Sequence, residues 1–186
     1  LRVLIALDPT RAQAMLDHLI AYLRATLTAS RATHHPLADE FDRLRDYLEL
    51  MAVRMGPRLR YTLDLPEALR HVPVPPLLLQ PLVENAIRHS GDPTHIQLKL
   101  YRQDNWAVTE VRDRGKGLSP EVLRAVEQGH QLPRDLSGDS TRGMGIGLSV
   151  CQSIIKAHNG FFAAENDPAG GAGGAFLQQD RSRLSG

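Results

Sequence analysis

Glu84, Asn85, Arg88 and His89 in the stretch VENAIRHS are interleaved with Leu82, Val83, Ala86 and Ile87. At about 100° per residue, the polar side chains share one helical face and the apolar ones, with Leu79, share the other. A solvated helix surface has the same pattern, so the residue types must carry the argument. An Asn amide oxygen is a neutral hard ligand suited to a magnesium ion that already holds phosphate oxygens and water. With Asn85 as metal ligand, Glu84 is left for base chemistry. Arg88 stands one turn on, within reach of phosphate, and His89 suits a hydrogen-bonding role at the helix end.

Two later segments supply complementary chemistry. Asp113 ends a strand pattern and is followed by Arg-Gly-Lys-Gly, where glycine permits a sharp turn and close approach. An ionised carboxylate only accepts hydrogen bonds. It would therefore take one from the exocyclic amine of adenine and repel the carbonyl that guanine places there. A plain Asp-x-Gly turn looks the same in isolation. Farther on, Gly143, Gly145 and Gly147 alternate with Met144, Ile146 and Leu148 and lead into an apolar-periodic helix, so bare amides and a helix N-terminus face one point where anions bind. Arg142, beside these glycines, and Lys116, between Gly115 and Gly117, are candidate partners for phosphate charge. The spacing is neither a dinucleotide fingerprint nor a P-loop. Together the three segments supply the parts of a magnesium–ATP site.

The rest of the chain must place these groups. Its 186 residues suffice for one compact core and a smaller attached element. With 22 Lys plus Arg against 21 Asp plus Glu, no overall field draws it to nucleic acid or anionic lipid. Cys151 stands alone, which excludes an intrachain disulfide and a cysteine-based zinc site and suits a reducing compartment, with the cytoplasm as the default. No apolar run approaches the roughly 20 residues that cross a bilayer, so no membrane contact is expected. The chain starts at Leu1 without a signal-peptide pattern and reads as a fragment of a longer protein.

Asp8-Pro9 signals a helix start, with Leu16, Ile20, Leu23 and Leu27 following. After SRATHHP, the residues Leu37, Phe41, Leu44, Leu48, Met51 and Met55 repeat at alternating spacings of four and three, a narrow apolar seam. These two helices form a hairpin over 1–56, packed on its own domain or joined in a dimer-forming bundle. RLRYTLDL alternates as a half-buried strand. A proline-marked helix is expected at roughly 75–89, then a hairpin of THIQLKLYR and NWAVTEVRD. A lid spans about 114–142 around one short helix capped by Ser119 and ended by Gly129. A helix follows from about 145 to 158, then FFAAEN, a glycine-rich turn, a possible last strand, and a tail at 181–186. Cys151 and Trp106 are assigned to packing, and His34-His35 to a linker with no acidic partner.

At these residues the chain resembles the GHKL ATP-binding superfamily. PPLLLQPLVENAIRHS looks like the asparagine box of LytS-type sensor histidine kinases, and DRGKGL and GMGIGL look like their two glycine boxes. The resemblance implies an α+β fold, a two-layer α/β sandwich of the Bergerat type with a mixed sheet under helices, occupying 57–180 after the helical hairpin. It also implies that Asn85 holds magnesium, that Glu84 acts as or assists the general base and that Asp113 reads adenine. Arg88 would sit near phosphate, with Gly115, Gly117, Gly143, Gly145 and Gly147 shaping the pocket. The γ-phosphoryl group would pass to a histidine and then to an aspartate of a response regulator, in a full-length homodimer. Two features depart from the subgroup. The phosphoacceptor motif expected before the first helix is missing, and neither His18 nor His34-His35 fits its context. The last glycine-rich turn has Gly174 and Ala175 where a hydroxyl residue is usual, which implies a reduced adenine network and modest affinity. Two other activities fit the same boxes: a nucleotide-gated binding module without phosphotransfer, and an ATPase of the gyrase or repair type.

Overall fold

A computed structural model describes residues 2–29, 33–91, 93–130, 146–168 and 170–179. A short helix, α1 (Arg2–Leu7), not read from the sequence, leads into α2 (Pro9–Ala29). Asp8 caps the second of these as its position before proline suggests, its Oδ1 accepting the Arg11 amide at 2.9 Å. Helix α2 packs along α3 (Leu37–Met55). The Tyr22 and Tyr47 rings lie 5.9 Å apart, and His18 Nδ1 is 2.9 Å from Asp46 Oδ1.

The two helices spend their apolar faces differently. Leu37, Phe41, Leu44 and Leu48 of α3 are fully buried in the same cluster as the sheet residues Ile96, Leu98 and Leu100. Each such side chain contributes about 1.5–3 kcal/mol by leaving water. The seam of α3 is therefore packed on its own domain. Leu16, Ile20, Leu23 and Leu27 of α2 are 37% to 69% exposed and form an apolar stripe on its surface.

The main sheet contains β2 (Leu59–Asp64), β4 (Thr94–Gln103), β5 (Trp106–Asp113), β6 (Phe161–Asn166) and β7 (Ala172–Gln179), in the order β2-β4-β5-β7-β6. Strands β2 and β4 run parallel, with Leu59 opposite Thr94; the other neighbours are antiparallel. Ile96, Leu98, Leu100, Ala107 and Val111 point at the helices, and alternation sends Lys99, Tyr101, Glu110 and Arg112 to the opposite face. The result is the expected two-layer α+β arrangement. Trp106 departs from its reading as strand core. It is half-buried on the outer face, edge-on to the exposed Phe161 with ring centroids 5.4 Å apart, because its inward neighbour Ala107 takes the core position.

A second, two-stranded ribbon pairs β1 (His35–Pro36) with β3 (Pro73–Val74). It extends into α3, whose first amides at Leu37 and Ala38 donate to Val72 O and Arg70 O at 2.9 and 3.0 Å. Helix α4 (Gln80–His89) starts later than the 75 read from the sequence. Pro75 and Pro76 have no N–H to give, and Leu77 adopts a left-handed φ of 62°. Helices α5 (Pro120–Glu127) and α6 (Ile146–Ala157) complete the layer. Ser119 Oγ accepts the Val122 amide at 3.4 Å. Gly129 ends α5 at a φ of 63°, and Asn159 closes α6 at a φ of 58°. Among the described residues, no helix is long and apolar enough to cross a membrane.

Candidate nucleotide site

Helix α4 packs on β4 and β5 and against α6 in the helical layer. Leu82, Val83 and Ala86 are buried beneath it. Glu84, Asn85 and His89 are half-buried and Arg88 is exposed, so the structure keeps these four polar side chains off the core-facing side. Burial, then the neighbouring Arg88 charge, pushes the His89 imidazole below its ordinary value, against an upward pull from Asp113. The shift favours the neutral imidazole.

The end of α4 meets the turn after β5. A methyl group built on Gly115 would lie 2.0 Å from the His89 carbonyl oxygen, so glycine is required for this approach. The Gly115 amide donates to Asp113 Oδ1 at 2.7 Å, and the Ala172 amide reaches the same oxygen at 3.4 Å. Both of these bonds go to Oδ1 rather than Oδ2. Gly171, at a φ of 112°, brings the last turn so close that a Cβ would lie 2.0 Å from Asp113 O. Asp113 is held by the two glycine-permitted approaches at Gly115 and Gly171 and by the Gly115 and Ala172 amides, which make it a fixed acceptor.

Gly117 has a φ of 78°, and a side chain there would run into Asn166. Asn166 binds both backbone polar groups of Leu118, its Oδ1 accepting Leu118 N at 2.6 Å and its Nδ2 donating to Leu118 O at 2.9 Å. Lys116 is exposed on this turn. Ile146, Gly147 and Leu148 form the first turn of α6. Arg142, Gly143 and Gly145 lie outside the described residues, as does the second half of the expected lid.

Several residues that serve the site were not singled out in the sequence. Gln80 Nε2 donates to Glu84 Oε1 at 2.8 Å and to the Tyr22 hydroxyl at 2.7 Å, which links α2 to the expected base. Burial and the Glu84 carboxylate together push the Tyr47 phenol up to about 12. Gln80 and Glu84 stand one helical turn apart, a spacing that marks such a pair. His35 is also corrected: its Nε2 lies 2.8 Å from Glu40 Oε2, a partner five residues along that the helix start turns back toward it. Cys151 is fully buried, and burial raises its thiol to about 12; it packs, as expected.

Residues 76–177 match the family of histidine kinase-, DNA gyrase B- and HSP90-like ATPases. The chain belongs to that family. Residues 1–59 match the histidine kinase family, so both parts of the chain point to the same kind of protein, and α4 and Asp113 lie in the ATP-binding domain. Sensor protein LytS of Bacillus subtilis is 31% identical over 120 residues, which cover 62% of this chain and 20% of that protein. Sensor protein KdpD of Clostridium acetobutylicum is 35% identical over 91 residues, 49% of this chain and 10% of the relative. The chain thus spans a tenth to a fifth of the length of these two relatives. Its fold is that of the catalytic domain of histidine kinase ThkA, with a TM-score of 0.62, 20% identity and coverage of 80% of this chain and 95% of that one.

Proposed function

We propose that the chain is the ATP-binding catalytic region of a two-component sensor histidine kinase. It would transfer the γ-phosphoryl group of ATP to a histidine beyond these residues, for relay to an aspartate of a response regulator. The observation that carries this reading is the seating of the Asp113–Gly115 turn on the carbonyl end of α4. That contact brings a base-selecting acid beside the helix whose polar face carries a carboxamide, a carboxylate and a guanidinium.

Bound magnesium–ATP supplies an electrophilic γ-phosphorus and a divalent cation that offsets phosphate charge. The residues fit that group, since glycines leave the cleft wall bare and Asp113 keeps an acceptor oxygen for adenine. Asn85 would ligate the cation through its amide oxygen, Arg88 would lie near phosphate, and Asp113 Oδ2 would accept the adenine amine. Glu84, with Oε1 held by Gln80, would act as or assist the general base. Gly143, Gly145 and Gly147, with Arg142 and Lys116, would face the phosphates. The exposed stripe of α2 would be covered by its counterpart in a second chain, and the lone buried cysteine suits a cytoplasmic setting, with any anchor upstream.

Titration with magnesium–ATP and magnesium–GTP tests the site, and labelling from ATP in a protein extended upstream through an acceptor histidine tests the reaction. Asp113→Ala should lose at least about tenfold in ATP affinity, as expected for one charge-assisted bond, along with the preference over GTP. Asn85→Ala should abolish the label. Equal labelling by Asn85→Ala would sink the kinase assignment, and steady release of phosphate without label would favour an ATPase.

A further inference from the structure

A carboxylate sits where the core should be apolar. Glu40 lies on the face of α3 that carries Leu37, Phe41 and Leu44, and it is 1% exposed. A charge so buried is costly unless paired and hydrogen-bonded, and this one has partners on three segments. Oε1 accepts the Leu79 amide at 2.9 Å. Oε2 accepts the Leu77 amide at 3.2 Å and the His35 Nε2–H at 2.8 Å. The buried Arg43 guanidinium completes the set. These partners hold the carboxyl below its ordinary range despite its burial, which alone would raise it.

The two amides are those that lead into α4. The first N–H groups of a helix have no partner inside it, and Leu79 at the N-cap has no side-chain acceptor to offer. Glu40 accepts, from another helix, the amide of that N-cap residue and the amide of the left-handed Leu77 just before it. Glu84 and Asn85 follow about one and a half turns later, on a rigid element whose start and rotation Glu40 sets.

We propose that Glu40 is a positioning residue for the ATP site, a buried anchor on α3 that places Asn85 and Glu84 through the first turn of α4. The inference rests on the ATP-site reading above. Titration of the 186-residue chain with ATP, in magnesium and in chelator, gives a magnesium-dependent affinity ratio. Glu40→Gln keeps the shape and removes the charge, and it should lower that ratio about tenfold, the scale at which groups supporting a metal ligand act. Leu48→Ala, a cavity on the same helix face, should lower stability and leave the ratio unchanged. A wild-type ratio in Glu40→Gln would overturn the inference while leaving the ATP site intact. Absence of magnesium–ATP binding by the wild type would overturn the ATP reading and this one together. If Glu40→Gln does not fold, amide exchange in the wild type decides: the Leu77 and Leu79 amides should exchange as slowly as those within α4, and exchange at open-loop rates would refute the anchor.

Discussion

At Gly174 the cleft has a vacancy of chemistry rather than of space. The residue pairs with Val111, two positions before Asp113, and a Cβ there would meet only the Phe162 ring, at an ordinary 3.8 Å. A hydroxyl side chain therefore fits at this position. Gly174→Thr should tighten magnesium–ATP binding about two- to tenfold, the value of one ordinary hydrogen bond of about 0.5–1.5 kcal/mol. Gly174→Val, of the same shape without the hydroxyl, should stiffen the strand equally and leave affinity unchanged. Titration calorimetry on the pair separates the two contributions. Asp113 shows how far single residues were legible. Its place at a strand end before glycines could be read, because turn chemistry is local. The second glycine approach, from Gly171, could not, because it arises only when β7 is laid beside β5.

Helices α3 and α4 are tied by the Glu40 carboxylate, and that tie has a pH signature. The folded-state pKa of Glu40 lies below the ordinary value of 4.5, so its ionised form stabilises the native state. The contribution is whole above the ordinary carboxylate range and is lost as pH falls through the lowered native value. The melting-temperature gap between wild type and Glu40→Gln should hold from neutrality down to about pH 5 and close below it; a gap independent of acid would mean that the charge does nothing. His35 and Arg43 face the same carboxylate and remain in both proteins. Element identity was largely open to sequence reasoning: the α3 seam, the Ser119 cap and the β4–β5 hairpin follow from period and punctuation. Partnership was not. A charged Glu40 inside an apolar seam was the one visible sign of a buried network, yet periodicity gives a face without naming what meets it. The start of α4 lies later than the sequence suggested because Pro75, Pro76 and the left-handed Leu77 precede it, and the Leu77 and Leu79 amides are held by a side chain from α3 that periodicity does not name.

For the whole molecule, the seam on α3 is spent on the fold, and in the proposed dimer the exposed stripe on α2 would carry assembly. Ile20→Asp should leave the melting transition of the chain nearly unchanged, because Ile20 is 46% exposed, and should shift a dimer to monomer in light scattering at matched concentration. Loss of the fold instead would place that stripe inside the protomer. The parallel neighbours β2 and β4 have a further consequence. Strands that lie side by side and point the same way need a chain that leaves the sheet and comes back, and α4 is carried on that return path. The segment matched to the ATPase family begins at residue 76, after β2 and α3. A polypeptide started there would lack the outer rail of the sheet and the helix that roofs it. It should bind dyes that report bare apolar surface and show no sharp calorimetric melt, so that the smallest autonomous unit begins near Leu37 rather than where the match to the ATPase family starts.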